Sequence, residues 1–194
     1  EALALAEQIG DRQAICESLL IAAESHLQTN EFDECAMELQ RVTEASTDSA
    51  TDLGFTGESH RLNGMLNMVQ GDAAAAAQHF GSSVSIFDML GDRYRAARAH
   101  LELGRAYTKI LPERAGEHLS RALNTFRELG AKIDLERVEE ELKILARATP
   151  ERTQEQSALT QLLTLRLAEA GASRELLLRE LAAGIRQGTG AQRG

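Results

Sequence analysis

The sequence has little of what β-sheet folds require. Its 194 residues include no Trp, two Tyr, five Phe and two Pro, so aromatic residues make up only 4% of the chain. Strands favour aromatic and β-branched residues and are joined by frequent turns, which argues against a β-sandwich or a barrel. Ala, Leu, Glu and Arg are abundant instead, and these residues favour helices. We therefore expect an all-α fold, which substantial strand content in far-UV circular dichroism would contradict.

Long hydrophobic runs and a disulfide framework are also missing. No apolar stretch approaches the roughly 20 residues that cross a bilayer, and no secretory signal is visible at the N-terminus. Cys16 and Cys35 form no CxxC and have no His at ligand spacing, so we interpret them as small buried hydrophobes in a reducing compartment. We expect a cytoplasmic protein with no membrane partner and no cofactor. Because the chain begins at Glu1 rather than Met, we also expect it to be a piece of a longer protein.

Charge is distributed unevenly along the chain. The net charge is −9, which argues weakly against nucleic acid as a partner. Residues 1–50 carry 2 basic and 11 acidic side chains, whereas residues 91–130 carry 8 basic and 5 acidic ones. The sequence therefore predicts an acidic first part and a basic later part.

An internal repeat of 39 or 40 residues organises most of the chain. Three matched pairs show it: Gly64 with Gly104, His60 with His100, and His79 with His118. Such a period is typical of arrays of stacked helix pairs. It predicts a partial repeat at residues 1–10, followed by units at about 11–51, 52–91 and 92–130. Residues 131–147 break the period and have a highly charged outer face, so we interpret them as a capping helix.

Each unit has the pattern of two antiparallel helices. In the clearest unit, apolar residues from Leu101 to Ile110 recur at helical spacing, Pro112 suits a first helical turn, and Gly130 suits a C-cap. Asp11, Asp72 and Asp92 follow glycines at the expected helix starts, where an N-cap carboxylate is favourable.

These units resemble the tetratricopeptide repeat (TPR) family. The resemblance rests on Leu103-Gly104, Tyr107, Ala115, Leu119 and Ala122, and covers roughly residues 1–147. His60 and His100 stand where the family usually has Trp, the terminal Pro is missing, and the period is longer than 34 residues. The resemblance is to the longer variant found in bacterial signalling proteins. It implies a right-handed superhelix of helix pairs whose small residues allow close packing.

The resemblance also implies where a partner binds. In TPR arrays the first helices of the units line a concave groove that holds a peptide or protein segment. Met65 and Met68 suggest an adaptable apolar floor, or alternatively packing under a neighbouring helix. The groove would have an acidic end at Glu17 and Glu24 and a basic end at Arg98, Arg105 and Lys109. Carried over position by position, the groove residues are Glu17, Leu20, Glu24, Leu27, Gln28, Glu58, Arg61, Met65, Met68, Val69, Arg98, Leu101, Arg105 and Lys109.

Residues 148–194 are predicted to be a helical linker that leads into a following domain. The final segment, residues 188–194, resembles the entry to a GAF domain. The leucine-rich stretch 153–187 exposes more apolar surface than a lone helix pair can bury, so it either folds back or pairs two chains, and we favour a homodimer that light scattering would detect. The residues expected to pair are Leu159, Leu163, Leu167, Leu177, Leu181 and Ile185.

Nothing in the sequence supports catalysis. The histidines at equivalent repeat positions would lie about one repeat apart, too far to share a metal ion. The run Glu139-Glu140-Glu141 lies beside Arg137 and Lys143 and is typical of a solvated helix face. Two functions remain: an interaction module of a cytoplasmic signalling or transcription-regulating protein, and a helical oligomerisation element.

Overall fold

A computed structural model describes residues 2–46 and 50–147, and no strand occurs in these ranges. The expected all-α class is confirmed. An eighth helix, α8, covers residues 132–147. The first seven helices are α1 (Ala2–Ile9), α2 (Arg12–Thr29), α3 (Phe32–Ala45), α4 (Ala50–Val69), α5 (Ala73–Leu90), α6 (Arg93–Ile110) and α7 (Pro112–Leu129).

The helix ends follow the local signals in the sequence. Asp11, Asp72 and Asp92 each accept a hydrogen bond from the backbone N–H three residues further on, as predicted for N-caps. At the other end, Gly91 and Gly130 adopt φ values of 69° and 70°, the left-handed conformation that closes a helix. The turns are therefore encoded locally.

Each helix contacts the next one from α1 to α7, and two further contacts join α2 to α4 and α4 to α6. The repeat units of the sequence therefore correspond to the pairs α2/α3, α4/α5 and α6/α7. The first helices of successive units lie side by side.

Glycine permits close approach inside two of these pairs. A Cβ added to Gly64 would lie 2.5 Å from Phe80 Cε1, and one added to Gly104 would lie 2.6 Å from Leu119 Cδ2. Both partner side chains are fully buried. Packing thus requires glycine at these two positions, in the pairs α4/α5 and α6/α7.

Helix α8 packs on the end of the last pair. Val138 is fully buried in one apolar cluster with Leu119 and Phe126. Tyr94 donates a hydrogen bond to Asp134 at 2.9 Å, and Arg105 Nε bonds to Glu141 at 2.8 Å. These contacts join α8 to α6 and α7, and its role as a cap stays a prediction.

The chain divides into two compact units, Glu1–Ala146 and Arg147–Gly194. Residues 148–194 lie outside the described part, so the linker, the GAF-like entry and the pairing leucines remain predictions. Within the described ranges, no helix is both long and apolar enough to span a bilayer.

Candidate functional site

Side chains from α2, α4 and α6 form one surface, which we call the first-helix face. Two cavities lie on it. One, the early cavity, is lined by residues nearer the start of each helix, and the other, the late cavity, by residues further along, so the three helices run in the same direction. The early cavity, about 350 Å³, is lined by Glu17, Leu20, Ile21, Glu24, Gly54, Phe55, Glu58 and Arg95. The late cavity, about 330 Å³, is lined by Leu27, Gln28, Met65, Met68, Val69, Glu102 and Arg105.

The late cavity has an apolar floor. Met65 and Met68 line it and also pack, half-buried, against the apolar clusters beneath. Both interpretations of these methionines therefore hold in part. Val69 is 55% exposed at the rim. Because methionine side chains are flexible and polarizable, this floor could adapt to apolar side chains of different shape.

The early cavity is lined by three carboxylates. Glu17, Glu24 and Glu58 line it against one cation, Arg95, while Phe55 and Leu20 contribute apolar surface. Glu24 and Glu58 also contact Arg61 and Arg98, so the attraction of this cavity for a basic group depends mainly on Glu17.

A network of ion pairs separates the two cavities. Arg61 is only 2% exposed, and its Nη2 lies 2.6 Å from Glu58 Oε1 and 3.1 Å from Glu24 Oε1. Its Nη1 lies 2.8 Å from Met65 Sδ. Burial acts to lower the pKa of Arg61, but the contacts with Glu58 and Glu24 outweigh burial and hold the pKa above its ordinary value. Arg61 is therefore a buried cation that stabilises the structure between the two cavities.

The structure also shows where the predicted charges lie. Arg98 reaches Glu24 at 3.5 Å and Glu58 at 3.9 Å, so acidic and basic residues are interleaved as ion pairs. Arg105 is paired with Glu102 and Glu141. The expected separation into an acidic end and a basic end is wrong. It was inferred from the charge of sequence segments, whereas adjacent first helices place oppositely charged residues side by side.

Most of the predicted groove residues lie on the first-helix face, but Leu101 does not line either cavity. It is 3% exposed and belongs to the apolar cluster that contains Leu119 and Val138. Lys109 is exposed near the end of α6 and is not part of the two cavities.

Two histidine pairs were missed by the sequence analysis. His60 Nδ1 lies 3.0 Å from His79 Nδ1, and His100 Nδ1 lies 2.9 Å from His118 Nδ1. Each pair joins the two helices of one unit, not equivalent positions in successive units. A signal was present: the two residues of each pair lie on opposite sides of one turn, which an antiparallel pair brings together.

Burial makes these histidines hard to protonate. It lowers the pKa of His100 to about 4, with the neighbouring His118 adding to the shift. Burial also lowers the pKa of His118, and burial followed by the proximity of His79 lowers the pKa of His60. The lowered pKa values keep His60, His100 and His118 neutral at pH 7, and within each pair one imidazole N–H can donate to the other ring.

Acidification should destabilise the fold through His100. Its pKa is below the unfolded value of about 6.5, so the unfolded state binds more protons between pH 6.5 and 4. Stability is therefore complete above this window and falls as the pH decreases through it. At about 1.4 kcal/mol per pKa unit, His100 alone should lower the free energy of unfolding by about 3 kcal/mol between pH 7 and pH 4. Urea unfolding at pH 7, 5.5 and 4 should show a shallower decline for His100→Gln than for the wild type, and equal declines would contradict the prediction.

No group of three or more His, Cys, Asp or Glu side chains that could hold a metal ion occurs in residues 2–46 and 50–147. The sequence matches no protein-family model and shows no significant similarity to a curated protein.

Proposed function

We propose that residues 1–147 form a TPR-like right-handed superhelix that acts as a protein-interaction module. The ligand is a peptide or protein segment that lies along the first-helix face. The observation that carries the proposal is the placement of two cavities of similar size on that one face. The α2–α4 and α4–α6 contacts support the superhelix, since stacked units bring their first helices together in this way.

The chemistry of the two cavities suggests the chemistry of the partner. An apolar side chain suits the cavity floored by Met65 and Met68, and a basic side chain suits the early cavity beside Glu17. The ion pairs around Arg61 hold the surface between the two cavities in one arrangement. The partner would then be a segment that carries one apolar and one basic anchor, with electrostatics mainly setting its orientation and association rate.

The cellular setting is proposed from the family resemblance. The chain would be the regulatory scaffold of a cytoplasmic multidomain protein. Dimerisation through residues 153–187 is the alternative function, and it rests on leucines outside the described residues.

A peptide library displayed on phage and selected against the full 194-residue chain tests this function. We expect enriched peptides to bind the wild type and to bind Val69→Glu at least about tenfold more weakly, because the variant places a charge at the rim of the apolar cavity. Val69 is 55% exposed, so the fold should tolerate the change.

Met89→Glu is the matched control. Met89 is 66% exposed on α5, a second helix outside both cavities. If the peptides bind both variants equally weakly, or bind both as tightly as the wild type, the first-helix face is not the binding surface. Charge reversal at Arg98 is a poorer test, because it would also break the pairs with Glu24 and Glu58.

A further inference from the structure

The Nδ1 atoms of His60 and His79 are separated by the distance expected for two cis ligands of a metal ion. The two Nδ1 atoms lie 3.0 Å apart. With metal–nitrogen distances of about 2.0–2.1 Å, ligands at a right angle lie about 2.9 Å apart, and tetrahedral ligands about 3.4 Å apart. The observed separation fits the right angle, which is typical of Cu²⁺ and Ni²⁺.

Helix packing holds the two rings in this position. His60 lies on α4 and His79 on α5, and the close approach of Gly64 to Phe80 fixes the same two helices against each other one turn away. The metal site would therefore be largely preformed, with little ordering required on binding.

A cavity beside the pair leaves room for the remaining ligands. It measures about 320 Å³, and both histidines line it. A water molecule occupies about 30 Å³ in the liquid, so several metal-bound waters fit. Uncharged polar side chains that could hydrogen-bond to those waters also line the cavity: Thr43, Ser46, Thr56, Ser59 and Asn63.

Metal binding would replace the hydrogen bond between the two rings. Without a metal, one Nδ1–H can donate to the other Nδ1. Coordination by both Nδ1 atoms requires that the proton of the donor ring moves to its Nε2 and that both rings turn slightly, so that their lone pairs point at the metal ion and not at each other.

The second pair differs in its surroundings. His100 is 6% exposed, and the ring of Tyr107 packs 5.3 Å from the ring of His118. The cavity beside His100 is lined by Arg93 and Arg121 against one carboxylate, Asp88. These charges oppose a divalent cation, so the second pair is a poorer site.

From these observations we propose that His60 and His79 bind one divalent transition-metal ion per chain, of the Cu²⁺ or Ni²⁺ type, through their Nδ1 atoms. Solvent completes the coordination. The ion would join α4 to α5 and stabilise the second unit by mass action.

Titration of the full chain with NiCl₂ at pH 7.5 in a non-coordinating buffer tests the site. We expect the wild type to bind one Ni²⁺ per chain and to show a raised thermal midpoint. His60→Gln and His79→Gln should each bind Ni²⁺ at least about 100-fold more weakly, because losing a ligand reduces metal affinity more than losing an outer-shell hydrogen bond does. His26→Gln and His118→Gln should bind as the wild type does. His26 is a suitable control because it is paired with Glu31, away from the cavity.

A measurement on the wild type makes the test independent of the variants' folding. With one equivalent of CuCl₂, electron paramagnetic resonance should show coupling to two imidazole nitrogens in a tetragonal site. Coupling to fewer than two, retention of Ni²⁺ by His79→Gln, or absence of binding at millimolar Ni²⁺ would overturn the proposal.

Discussion

Replacing Arg61 with methionine is expected to destabilise the protein by about 3 kcal/mol, because the Glu58 carboxylate loses its hydrogen bonds from Arg61 and keeps the longer, 3.9 Å contact with Arg98. Glu58 has a side chain only 16% exposed, and its Oε1 accepts both the 2.6 Å and the 2.9 Å hydrogen bonds from Arg61. Within the described residues, Glu58 Oε2 is buried without a hydrogen-bond partner. The methionine restores apolar volume but no donor. The free energy of unfolding in urea measures the loss.

Two further variants separate charge burial from simple loss of contacts. Arg41→Met removes two ion pairs in which Arg41 is 42% exposed, and we expect a loss of no more than about 1 kcal/mol. Adding Glu58→Gln to Arg61→Met should recover part of the lost stability, because the unpaired charge is gone. If the double variant is less stable than Arg61→Met alone, the destabilisation has another origin.

Replacing Gly64 with alanine is expected to destabilise the protein by about 1–3 kcal/mol, although alanine is the better helix former. The new Cβ would lie 2.5–2.8 Å from three atoms of the Phe80 ring, which is fully buried and cannot move aside freely. Either the ring or the two helices must shift, and the packing of α4 on α5 is then lost in part. Equilibrium unfolding in urea checks the change.

Gly81→Ala provides the matched control. Gly81 also lies within a helix, α5, but an added Cβ would meet nothing within 4 Å. Here only helix propensity acts, and we expect stabilisation by about 0.5–1 kcal/mol. Equal effects at both glycines would mean that close packing does not explain Gly64.

The repeat and its turns could be read from the sequence because they depend on neighbours along the chain. Asp72 and Asp92 cap helices where predicted, and Gly130 ends one, since a cap needs only residues within a few positions. Apolar spacing likewise identified helices, because burial of one face imposes the helical period. The small residue at Gly104 was anticipated from the family resemblance.

Contacts between side chains on different helices could not be predicted from neighbours along the chain. Charge summed over segments predicted two separate ends, whereas Arg98 pairs with Glu24 from a helix two units earlier in the array. The burial of Arg61 was missed for the same reason, because its partners Glu24 and Glu58 meet only when α2 and α4 are adjacent.

The sequence by itself determined the helical class, the number of units and the turns between them, since all three follow from local preference and periodicity. The tertiary structure decided which polar groups face each other. In the folded chain His79 contacts His60, and Arg61 is buried between the two cavities. Leu101 lies in the apolar interior and not in the groove. The physical reason is that such contacts depend on the distance and rotation between helices, which are set by packing around residues such as Gly64 and Phe80.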